Sequence, residues 1–252
     1  MENFLQLTGI VAEAVIVGLL LYRRVARKLP LFLVYCICAV VTDATSIVLR
    51  LYFPAWYSIK YFLAEATFDF VLQLCVLVEL AWAVLRPLQR FLSSRVLVLI
   101  AALVALTCLT IWPFAGLTQI SAPSPVWRIV MQMEQTASIV RVLFFLVLAA
   151  SSQVLSLGWR DRELQVATGF GFYSLVSISV AVANTHQSSA EQFRNLEVFV
   201  MAGFVLSLFY WVFCFAQKET ARREFTPKMQ SSLLALAESA GVTRKRFEEP
   251  ED

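Results

Sequence analysis

The stretch from Ile59 to Leu85, IKYFLAEATFDFVLQLCVLVELAWAVL, constrains the fold more than any other. It exceeds the ~20 apolar residues that a bilayer crossing needs, yet it carries Glu65, Asp69, Gln73 and Glu79. With Glu65 at zero and a helical step of ~100°, Asp69 falls at about 40°, Gln73 at about 80° and Glu79 at about −40°. The four share a stripe of roughly 120°, and Leu, Val, Phe, Ala and Cys cover the rest. A soluble helix turns such a stripe to water. A membrane helix must turn it toward other helices or a wet cavity.

The remainder of the chain selects the membrane. Hydrophobic residues make up 59% and charged residues 15% of 252, where soluble domains carry about a quarter charged. Mean hydropathy is +0.71. The apolar residues fall in long blocks joined by short basic connectors, which predicts an all-α, polytopic integral membrane protein. Seven spans are expected: 4–22, 30–52, 59–85, 96–114, 126–158, 164–184 and 196–216. Residues 1–217 thus read as a seven-helix transmembrane domain. Residues 218–252 read as a mixed-charge tail, in which Thr226 and Pro227 are placed to cap a short interfacial helix bearing Met229, Leu233 and Leu234. The final GVTRKRFEEPED reads as disordered. The first block runs into Arg23, Arg24, Arg27 and Lys28 without a small-residue cleavage site, and so reads as a retained span.

Charge placement predicts sidedness. Sixteen of the 21 Lys and Arg residues lie in alternate connectors and the tail, among them Arg86, Arg90, Arg95, Arg160 and Arg162. The opposite connectors hold Lys60 and Arg194, with Arg50 and Arg128 near span ends. The positive-inside rule then puts the amino terminus outside and the carboxyl terminus in the cytoplasm, as an odd number of spans requires. Trp56, Tyr57, Tyr61, Trp112 and Trp127 mark the outer boundary, and Tyr22, Trp82, Trp159 and Trp211 the inner one.

Depth along each span brings four ionisable residues to one level: Glu13, Asp43, Asp69 and Arg141. Glu65 and Glu134 lie about two turns further out, and Glu79 about two turns further in. Glu134, Ser138 and Arg141 share a face of the fifth span. A mid-membrane charge costs between about 3 and 15 kcal/mol, and arginine cannot shed its proton. Arg141 is therefore expected to bond a carboxylate, with Asp69 or Asp43 best placed. The candidate intramembrane polar site is Glu13, Asp43, Glu65, Asp69, Gln73, Glu79, Glu134 and Arg141. Such networks also serve only to hold helices in register, and the sequence leaves both readings open.

Several chemistries lack their residues. Retinal needs a mid-span lysine, and Lys28, Lys60, Lys218, Lys228 and Lys245 all lie at span ends or beyond. The single histidine, His186, sits in an outer loop, which argues against a serine–histidine nucleophile, haem ligation and a metal hydrolase. The five cysteines lie inside apolar blocks and read as packing residues, not a disulfide framework or metal site. Gly169 and Gly171 follow no strand and read as a close helix contact, not a nucleotide fingerprint. No enzyme activity, metal, cofactor or nucleic-acid partner is expected; the bilayer is, and so is a cytoplasmic or membrane protein partner.

The run YCICAVVTDATSIVLRLYFPAWYSIKYFLAEATFDFVLQLCVLVEL carries an acid on the second span, a Tyr/Pro turn, and glutamates early and late on the third. These are Asp43, then Pro54 with Tyr57 and Tyr61, then Glu65 and Glu79. In this it resembles an uncharacterised family of bacterial seven-helix membrane proteins, as does the later GFGFYSLV segment. The resemblance implies the topology and no activity; the expected location is the inner (plasma) membrane. The expected function is a sensor or receptor-like protein acting with a separate partner. Alternatives are a small proton- or cation-coupled transporter using Glu13, Asp43 and Asp69, and an accessory subunit of a membrane complex.

Overall fold

The computed structural model describes residues 2–53, 59–85, 93, 95–115, 125–151, 161–184 and 190–217, with the isolated positions 231 and 235. Its seven α-helices are α1 (Glu2–Tyr22), α2 (Pro30–Tyr52), α3 (Ile59–Val84), α4 (Arg95–Ala115), α5 (Pro125–Ser151), α6 (Arg162–Asn184) and α7 (Ala190–Ala216). All seven are long and apolar enough to cross a membrane. Pro54, Trp56, Tyr57, His186, the connector residues Arg86, Arg90 and Arg160, and almost all of the tail lie outside the described residues.

Helix ends follow local chemistry. Arg24 adopts a left-handed φ of 56° at the end of α1, and a single 3-10 turn, Val25–Arg27, carries the chain to Pro30 at the first position of α2. Proline is pre-set for that position and lacks only an N–H that would have no partner there. The next two, of Leu31 and Phe32, donate to the two carboxylate oxygens of Glu79 on α3, at 2.7 and 2.8 Å. Gln132 near the start of α5 donates to the carbonyl of Trp112 near the end of α4, at 2.6 Å. The structure starts α7 at Ala190, six residues before the apolar segment. Ala190, Glu191 and Gln192 are good helix formers that hydropathy alone passes over.

Consecutive helices run antiparallel, so the ring neighbours α1 and α7, and α3 and α5, run parallel. α1, α2, α3, α5, α6 and α7 form a closed ring in which α1 meets α7, and α4 lies outside it against α3 and α5. One end of this ring, the basic end, gathers the finish of α1, α3, α5 and α7 with the start of α2 and α6. It is densely filled. Ile16, Leu20, Phe32, Val76, Leu80, Val166, Leu208 and Phe215 are buried there, and Phe32, Tyr35, Phe170, Trp211 and Phe215 interlock with ring centroids 5.0–6.4 Å apart. Edge-to-face pairs of this kind contribute about 0.5–1.5 kcal/mol each beyond their area.

Glycine permits the closest of these approaches. A Cβ on Gly169 would strike the Trp211 indole, and one on Gly171 would come within 2.8 Å of the Phe145 ring. The two glycines seat α6 against α7 on one face and α5 on the other, the close helix contact their spacing predicts. Arginines lock the same end. Arg162, buried at 3% exposure, donates to the carbonyls of Cys214 and Gln217 at 2.6 and 2.7 Å. Arg23 donates to that of Ala216 at 2.6 Å. Carbonyls at the end of α7, where helical partners run out, are thereby bonded by cations.

Candidate functional site

The apolar filling stops about midway along the bundle, and polar side chains line the space beyond it. α3 supplies Asp69 and Gln73, one turn apart, with Gln73 Nε2 donating to Asp69 Oδ2 at 2.6 Å. α5 supplies Glu134, Ser138 and Arg141 from one face, and α6 supplies Tyr173 and Ser177. Together they bound a cavity of about 80 Å³. Glu134 is exposed, Asp69, Tyr173 and Ser177 are half-buried, and Gln73, Ser138 and Arg141 are buried.

Arg141 is 4% exposed. Its guanidinium lies 5.1 Å from the centroid of the Tyr173 ring and 5.8 Å from that of Phe170. Its Nη2 donates to Ser138 Oγ at 2.9 Å, while Nε and Nη1 have no hydrogen-bond partner among the described residues. Among the described residues Arg141 does not form the carboxylate bond expected from the sequence. Asp69 faces the same cavity but turns one oxygen to Gln73, and the rings on α6 hold the guanidinium instead. Cation–π contacts of a desolvated guanidinium are worth up to about 2 kcal/mol, so α6 supplies part of what a carboxylate would have.

The other acids divide by neighbourhood. Glu13 on α1 is 3% exposed and lies within electrostatic reach of Asp43 and Asp69. Glu65 reaches Asp43 and Asp69 in the same way, and Ser46 of α2 lies between Tyr61 and Glu65 at 3.0 and 3.5 Å. These four carboxylates, on α1, α2 and α3, are linked by electrostatic reach; of the four, Asp69 lines the cavity. Glu79 stands apart, toward the basic end, on the start of α2. Among the described residues no three His, Cys, Asp or Glu side chains group as a metal site.

Tyr173, Ser177 and Arg162 are not among the candidate residues that charge and depth single out in the sequence. Tyr173 and Ser177 are one turn apart on α6, and a hydroxyl pair at that spacing in mid-span was the available signal. By hydropathy Arg162 falls in a connector, and nothing local in the sequence marks its burial.

By architecture this is a multi-pass helical membrane protein with a polar interior. Comparison with protein-family models, with curated proteins and with solved structures finds no match.

Proposed function

We propose that this chain is a receptor-like protein of the bacterial inner membrane that admits a small polar ligand from outside and meets a separate partner at its cytoplasmic face. The amino terminus lies outside, and the basic end faces the cytoplasm, by the asymmetry of its arginines and lysines. The observation that carries the reading is the contrast between the two halves of the ring. A polar cavity holds a buried, under-bonded Arg141, and interlocked aromatic rings fill the space between it and the basic end. A carrier must open to each side in turn, and a receptor needs one mouth only.

The electrostatically linked Glu13, Asp43, Glu65 and Asp69 favour a second reading, a proton- or cation-coupled carrier, because like charges gathered at mid-membrane need a cation or protons to neutralise them. Labelling separates the two. Ser177→Cys, in a background with the native cysteines replaced, should react with a membrane-impermeant maleimide in intact cells and resist it in inverted vesicles. Reaction from both sides, or wild-type liposome proton flux that disappears with Asp69→Asn, would establish the carrier. Protection from both sides would leave a closed packing network.

A further inference from the structure

The cavity holds two opposed and incomplete sets of hydrogen-bonding groups. On the α5 side Arg141 is a fixed cation whose Nε–H and one Nη1 group are unsatisfied and nine-tenths or more buried. Aromatic rings from Phe170 and Tyr173 lie near the guanidinium, and the residue lines the cavity. A guanidinium edge with neighbouring N–H groups matches a planar carboxylate bidentately. On the α3 side the groups are acceptors. Asp69 commits one oxygen to Gln73, and the Gln73 Oε1 is buried without a partner among the described residues. Buried polar groups left unbonded destabilise a fold, so a ligand that bonds both sets relieves several such penalties together.

Resting on the receptor reading above, we propose that the cavity binds a small zwitterion, its carboxylate taken by Arg141 and its ammonium by Asp69 and the Gln73 carbonyl. An anion alone would leave the α3 acceptors unmet, and a cation alone would sit beside an unbonded guanidinium. The volume sets the size. About 80 Å³ is several times what one water requires and well below the ~300 Å³ at which drug-sized sites begin. The ligand is thus an amino acid with its two charges one or two carbons apart and little side chain.

The test is calorimetric titration of the full chain in lipid nanodiscs with glycine, β-alanine, acetate and ethylammonium. Glycine or β-alanine should bind at least tenfold more tightly than either singly charged probe. Asp69→Asn should bring the amino acid down to the affinity of acetate, and Arg141→Lys, which keeps the charge but loses the planar fork, should weaken it at least tenfold. Acetate binding as tightly as the amino acids in the wild type would overturn the proposal, as would binding of none of the four or an affinity indifferent to Arg141→Lys. The wild-type comparison needs no variant to fold. If Ser177→Cys still labels from outside alone while every probe fails, the zwitterion is wrong and the receptor reading stands; if labelling fails too, both fall.

Discussion

Glu79 shows how one residue's role depends on what its neighbour lacks. The stripe on α3 places it with Glu65, Asp69 and Gln73, and periodicity treats all four alike. In the structure Glu79 bonds the backbone N–H groups of Leu31 and Phe32, a cap supplied by another helix and favoured by the positive end of the α2 dipole. Glu79→Ala should cost about 1–2 kcal/mol, the scale of a lost N-terminal cap, and Glu79→Gln, which keeps one acceptor, less. Thermal unfolding of the detergent-solubilised protein measures both. An unchanged midpoint for Glu79→Ala would show the carboxylate to be dispensable to the start of α2. Which residues are polar at mid-span was legible from the sequence. Which of them bond a backbone and which face a cavity was not, because that depends on contacts between residues 47 and 48 apart in the chain.

At the scale of elements, the seven spans were legible because lipid forbids most alternatives: a backbone in hydrocarbon must bond itself, and only long helices do so segment by segment. The structure departs from hydropathy where that rule relaxes: the polar start of α7 is helix without being apolar. The end expected for the fifth span near Gly158 falls in 152–160, outside the described residues. α6 is the element on which the rest is seated, and its glycines make that testable. Gly169→Ala should destabilise by about 1–3 kcal/mol through overpacking against Trp211. In a Trp211→Leu background the same change should cost much less, since the indole it strikes is gone. A double-mutant cycle reads the difference directly, and equal costs in both backgrounds would mean that the two helices separate easily.

For the whole molecule, the division into a filled half and a polar half is the property that no single span announces. Arg141 belongs to both, since its ring neighbours Phe170 and Tyr173 sit at the boundary. The aromatic cluster should therefore act as the barrier of the bundle. Proteoliposomes with the wild-type chain should hold a small-ion gradient, and the Phe170→Ala, Trp211→Ala pair should dissipate it. Equal retention by the double variant would place the barrier elsewhere.

The cations that lock the end of α7 have a consequence for anything that happens at the opposite side of those rings. Arg141 lies beside Phe170, Phe170 against Trp211, Trp211 against Phe32, Phe32 against Phe215, and Phe215 beneath the guanidinium of Arg162. Arg162 in turn holds the carbonyl oxygens of Cys214 and Gln217, immediately before residue 218, where the tail departs. A guanidinium drawn toward an arriving carboxylate would thus tug on a contiguous train of side chains whose far coupling is the root of that tail.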